Sequence, residues 1–225
     1  MHIMEGFLPA KHAIFWSAVS FPFLVYGTKK VGKRIKDDNN FKVFLGLFAA
    51  FTFVMSSLKI PSVVGSCSHP VGIGLGAIFL GPSFMIPVAF VVLFFQAVLL
   101  AHGGITTLGA NIFSMGIIAS FVGYFVYKFL ISLKVNRDTS IFIAVALSDL
   151  MTYVVTSAQL AFAFPDPIGG ILGSFAKFGM VFAITQIPIS IAEGIIAVLA
   201  YNYIVKRTTL SFENLALQKI DEVGK

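Results

Sequence analysis

Apolar runs of roughly 17–25 residues recur from one end of this chain to the other, and they limit its folds more than any motif does. A run of that length matches a hydrocarbon layer ~30 Å thick at a helical rise of 1.5 Å per residue. Charged or Gly/Pro-rich breaks fall at 29–42, 59–72, 81–83, 102–111, 134–140, 165–173 and after 205. Helices are therefore expected near 13–28, 43–60, 72–81, 84–101, 112–133, 140–163 and 174–205. The third run is too short to cross a bilayer alone, so it reads as a half-helix or as one bent element with its neighbour across Gly81 and Pro82. The last exceeds one bilayer, with Pro188 as a site for a kink. With 57% hydrophobic and 12% charged residues, the 225-residue chain carries too much apolar surface for a soluble core. The expected fold is an all-α membrane protein, a polytopic bundle of about seven transmembrane helices in one domain.

Lysine and arginine set the orientation, because loops on the cytoplasmic side are enriched in them. Placing the N-terminus outside puts Lys29, Lys30, Lys33, Arg34, Lys36, Lys42, Lys128, Lys134, Arg137, Lys206, Arg207, Lys219 and Lys225 inside, thirteen of the sixteen basic residues. Only Lys11, Lys59 and Lys177 stay outside, so the expectation is N-terminus out and C-terminus cytoplasmic. The net charge of +6 is then an orientation signal scattered over three loops, and nucleic acid is not an expected partner. The opening MHIMEGFLPAKH has no basic residue before Lys11 and is followed by no small-residue cleavage site, so it reads as retained rather than as a signal peptide.

Two motifs imitate nucleotide sites. Gly27 to Arg34 has the glycine spacing of a phosphate-binding loop, but Arg34 stands where a Ser or Thr would hold magnesium. Gly72, Gly74 and Gly76 lack the last glycine of a dinucleotide fingerprint and read instead as small residues that let helices approach. No nucleophile elbow or HExxH pair stands out, and midspan charges are too sparse to line a pore. An intramembrane enzyme and a passive channel are thus the weaker readings. The single Cys67 has no disulfide partner and is judged by its neighbours.

The histidines carry more. All four, His2, His12, His69 and His102, fall on the outer side in this topology. A Met1-His2 terminus presents the Met1 amine, the His2 amide and the His2 Nδ1 as three adjacent nitrogen donors, a set that suits Ni(II) or Co(II) and not Mg²⁺ or Ca²⁺. A bulky second residue keeps Met1 in place. His69, between glycine-rich turns, reads as a ligand, whereas His12 and His102 read first as hydrogen-bonded interface residues. Residues 1–12 are too apolar for a floating tail and are expected to insert into the bundle, delivering the terminus to the outer loops. Gln186 and Glu193 share a helix face, with Asp149 and Gln159 in another span; these read as helix packing or partner contacts, outside the metal site.

The blocks MHIMEGFLP, SCSHPVGIGLGAIFLGP, FQAVLLAHGGITTLGANIFSMG, SDLMTYVVTSAQLAFAFP and FAITQIPISIAEG together resemble the CbiM family, the substrate-specific components of energy-coupling-factor cobalt transporters serving cobalamin synthesis. The related nickel subunits, NikM, share the Met-His opening. The resemblance spans nearly the whole chain. It implies one transmembrane metal-capture domain over 1–225, with 206–225 as a cytoplasmic tail. It implies metal ligands at Met1, His2 and His69, with His102, Thr106, Thr107 and Asn111 as a lid or as hydrogen-bonding support. It implies Co(II), or Ni(II), as cargo and no cofactor or enzymatic activity. It also implies a transmembrane coupling subunit, cytoplasmic ATPase subunits and a small accessory membrane subunit as partners.

Overall fold

The computed structural model describes residues 2–61 and 66–207. Met1 and the tail from 208 to 225 lie outside the described residues, so the Met1 amine and most of the cytoplasmic tail belong to the expectations alone. The described chain runs β1 (His2–Ile3), α1 (Ala10–Asp37), α2 (Phe41–Ser57), β2 (Ile60–Pro61), β3 (Ser66–Ser68), α3 (Ile73–Leu80) and α4 (Pro82–Leu100). It continues through α5 (Leu108–Asn111), a π-helical stretch (Ile112–Ile118) and α6 (Ala119–Ser132), ending in α7 (Arg137–Ala163) and α8 (Gly170–Arg207).

Among the described residues four stretches are long and apolar enough to cross a membrane: Pro82–Leu100, Leu108–Ser132, Arg137–Ala163 and Gly170–Lys206. Their surroundings invert the pattern of a soluble protein. Large apolar side chains point outward, with Leu172 and Ile184 each 78% exposed. Polar ones turn inward, among them Thr52, Gln96, Ser148, Asp149, Gln159, Gln186 and Glu193. That is the arrangement lipid imposes, since a polar group facing hydrocarbon has no water to satisfy it.

The helix ends follow local chemistry. The basic segment 29–42, expected as a break, is mostly helix: α1 runs on to Asp37, because Lys and Arg are good helix formers, and only 38–40 turn the chain. Pro82 opens α4, where a missing N–H costs nothing. Asn136 caps α7, its Oδ1 accepting from the amides of Asp138 and Thr139. The short third run is a separate helix: all eight residues of α3 are buried, and Gly81 joins it to α4. Helix α8 continues through Pro188 without interruption.

One feature departs from the all-α expectation. Three short strands form an antiparallel sheet in the order β1-β3-β2. Ile3 pairs with Ser66 and His2 with Cys67, while Ile60 pairs with Ser68. The sheet stitches the start of the chain to the α2–α3 connection.

Candidate metal centre

The sheet register makes the site. Pairing His2 with Cys67 sets those side chains side by side, and His69 follows β3 directly. His102 arrives from the turn after α4, where Ala101 adopts a left-handed conformation (φ 46°) and the His102 amide donates to the Gln96 carbonyl at 3.1 Å. One donor atom from each of His2, Cys67, His69 and His102 then lies within 4.8 Å of the others. All four residues are buried, His2 and His69 completely.

The atoms face each other in pairs. His2 Nδ1 stands 2.6 Å from His69 Nε2. The other nitrogen of His69, Nδ1, donates to the Pro70 carbonyl at 2.7 Å, which leaves Nε2 as a bare lone pair. At 2.6 Å the pair is within hydrogen-bond distance, and two nitrogen ligands ~2.0–2.1 Å from one ion at a right angle lie roughly 2.9 Å apart, so a small opening of the pair would admit a shared cation. The second pair is Cys67 Sγ and His102 Nε2, 2.8 Å apart. His102 Nδ1 is buried with no hydrogen-bond partner among the described residues.

Burial, with the His102 imidazole adding to it, holds His2 and His69 well below the ordinary histidine range, so both rings are neutral at pH 7. Burial likewise lowers His102 to about 3 and pushes the Cys67 thiol up. The Cys67–His102 pair therefore has the spacing of a catalytic dyad without its chemistry: an activated cysteine needs a depressed thiol and a competent base. Three imidazoles and one sulfur form a borderline-soft donor set, fit for late first-row divalent ions and poor for Mg²⁺ or Ca²⁺.

Thr106, Thr107 and Asn111 support the site through the backbone that follows His2 rather than through His2 itself. Asn111 accepts from the Ile3 amide at 2.9 Å and donates to the Ile3 carbonyl at 3.2 Å; Thr107 Oγ1 donates to that carbonyl at 2.8 Å. Thr106 accepts from the Gly6 amide at 3.2 Å and donates from its hydroxyl to Glu5 at 2.5 Å. Glu5 closes the strap, its amide donating to the Gly103 carbonyl at 3.1 Å. Gly103 adopts φ +77°, and a Cβ there would sit 3.0 Å from His2 Cδ2, so the residue under the imidazole has to be glycine.

His102 joins the donor cluster itself, closer in than the lid position expected of it. His12 lies outside the cluster, half-buried at the N-terminal end of α1. Cys67 is the member that sequence reasoning missed; its signal is the register of a two-residue strand, which no periodicity reveals. Glu193, read as a packing or partner-contact residue, also reaches the site, through the turn after His69, and Asp149, read the same way, accepts from Gln186 behind it. Glu193 accepts from the Val71 and Gly72 amides at 2.5 and 2.8 Å.

Comparison with known proteins agrees with this chemistry. Residues 2–209 match the family described as the cobalt uptake substrate-specific transmembrane region, CbiM. A protein of Pelobacter propionicus named cobalt transport protein CbiM 2 is 54% identical over 92% of this chain and 91% of its own length. The cobalt transport protein CbiM of Clostridioides difficile is 56% identical over 91% of this chain and 82% of its own. Among solved structures, one titled as a truncated transition metal transporter superposes with a TM-score of 0.79 at 30% identity, covering 92% of this chain and 99% of that one. These likenesses place the chain in the CbiM family, the membrane components of cobalt transporters, and its cluster of three histidines and a cysteine is consistent with metal binding.

Proposed function

We propose that this chain is the substrate-capturing membrane subunit of an energy-coupling-factor importer and that it takes Co(II) from outside the cell for cobalamin biosynthesis. The observation that carries the reading is the facing pair His2 Nδ1 and His69 Nε2, 2.6 Å apart, with both residues fully buried. In this reading the Met1 amine and the His2 amide complete a four-nitrogen chelate with those two atoms. His102 and Cys67 stand beside it as further donors, and Thr106, Thr107 and Asn111 hold the strap that carries it.

The chain is no enzyme in this reading. The N-terminus and the metal pocket face outward and the α8 end faces the cytoplasm. A separate coupling subunit, a pair of ATPases and a small accessory membrane subunit supply the energy and the movement. Cobalt is favoured over nickel by the names of the relatives; a nitrogen-rich planar set favours nickel equally well, which makes the nickel subunit the second reading. Metal content separates them. Protein purified from cells grown with equal cobalt and nickel should carry cobalt in excess. Nickel in excess would make this a nickel subunit, and neither metal would refute capture.

A further inference from the structure

Asp149 on α7 and Glu193 on α8 lie inside the bundle, 0% and 1% exposed. Carboxyls at such depth need an internal partner or a function. Glu193 has backbone partners: Oε2 accepts from the Val71 amide and Oε1 from the Gly72 amide. Pro70 has no N–H, so these are the first two amides available after His69. The His69 peptide is gripped as well. Tyr153 on α7 accepts from the His69 amide at 3.1 Å and donates its hydroxyl to the His69 carbonyl at 2.9 Å. Gln186 Nε2 on α8 reaches that carbonyl at 3.5 Å and donates to Asp149 Oδ2 at 2.7 Å. The Asp149 carboxyl in turn lies against that of Glu193.

Nothing in the loop's own secondary structure does this work. Strand β3 ends at Ser68, α3 begins at Ile73, and Gly72 between them sits at φ +74° with no side-chain cap. The His69 ring has one local hold, its Nδ1 bond to the Pro70 carbonyl, and the backbone that carries ring and carbonyl is held from outside the segment.

We propose that α7 and α8 position His69 through Tyr153 and Glu193, which hold the 69–72 turn so that His69 Nε2 faces His2. The proposal rests on His69 being a ligand. It also ties the site to α7 and α8: a shift of α8 against α7 that breaks the hydrogen bonds from the Val71 and Gly72 amides would release the turn and draw His69 away from the metal, with no need to protonate an imidazole.

The test uses the full-length protein in lipid nanodiscs, titrated with Co(II) and followed by visible absorption. Glu193→Gln offers one acceptor oxygen where the carboxylate offers two. Co(II) affinity should fall 10- to 100-fold, the range typical when support behind a ligand is lost, and the spectrum should move to that of His69→Ala. Added to His69→Ala, Glu193→Gln should cost nothing more, because it acts through His69. Wild-type affinity and spectrum in Glu193→Gln, or losses that add in full, would overturn the proposal. Tyr153→Phe is the second arm should Glu193→Gln fail to accumulate: the same spectral shift is expected, and a wild-type spectrum counts against positioning. His69→Ala alone keeps the two failures apart, since wild-type affinity there refutes the ligand assignment itself.

Discussion

His2 Nδ1 and His69 Nε2 stand 2.6 Å apart although 67 positions separate them in the chain. A strand of two residues and a cap of hydrogen bonds from Thr107 and Asn111 hold one side of that pair, and the helices α7 and α8 hold the other. Replacing His69 by Ala removes one donor while leaving the turn's backbone bonds in place. The variant should fold and insert normally but lose Co(II) affinity by more than the 10- to 100-fold that supporting residues alone command. His102→Ala should be milder. Equal isothermal titration curves for wild type and His69→Ala would show that the fourth ligand lies elsewhere.

Gly103→Ala tests the floor under His2. The substitution forces an L-residue to φ +77° and sets a methyl 3.0 Å from His2 Cδ2. The expected cost is about 1–2 kcal/mol of stability from the backbone alone. A Co(II) affinity roughly tenfold weaker should follow as the imidazole is displaced. Thermal unfolding and metal titration on the same preparation measure both effects, and an unchanged affinity would mean that His2 does not need this floor.

How much of this was legible from sequence depends on the length over which each signal is spread. The membrane spans repeat apolar residues for tens of positions, and their order was readable, down to the short α3 and the long α8. Lys29 to Lys36 misled, because a charged helical turn and a loop look alike without a partner to face. The sheet was invisible: strands of two or three residues show no alternation, and their pairing is set by the N-terminal strap. Cys67 was lost with it, since its place beside His2 is a matter of register. His2 and His69 were readable as candidate donors because their chemistry is local to each residue, and the structure brings them together. Glu193 was readable as a buried polar residue, but its target is a backbone turn 121 and 122 positions away, which side-chain types do not encode.

Orientation has a direct test. Ile168, in the turn between α7 and α8, is 99% exposed, and Lys36, at the end of α1, is exposed at the other end of that helix from the metal strap. In a Cys67→Ser background, a membrane-impermeant maleimide applied to intact cells should label Ile168→Cys and spare Lys36→Cys. The opposite pattern would invert the topology and place the metal pocket on the wrong side for capture.

Placing one residue ahead of Met1 should be as damaging as losing a ligand. The primary amine then becomes an ordinary amide, a poor donor, while His2, His69, His102 and Cys67 all remain in the chain. Affinity for Co(II) should drop by at least the 10- to 100-fold seen for weaker perturbations of metal sites. Mass spectrometry has to confirm that the extension is intact, and native affinity in the intact protein would leave a site built from side chains alone.

The pH dependence of binding separates the same two sites without changing the terminus. Burial, with the His102 imidazole adding to it, holds His2 and His69 well below the ordinary value of 6.5, so neither ring is an imidazolium whose extra proton a metal must displace between pH 6 and 8. A pocket of histidine side chains alone would therefore bind Co(II) with nearly constant affinity across that window. An α-amine titrates at about 7.7–8.0, and an amide nitrogen binds metal only after losing its proton. Binding through these groups releases protons, and each proton released strengthens apparent affinity about tenfold per pH unit below the group's own pKa. Affinity should then climb steeply from pH 6 to 7.5 and fall as the medium is acidified. A ligating Cys67 would also release a proton, since burial raises its thiol, so the measurement is repeated on Cys67→Ser. A steep slope that survives this substitution and vanishes on N-terminal extension assigns the released protons to the amine and amide; a flat profile in the native protein rules out the amino-terminal chelate.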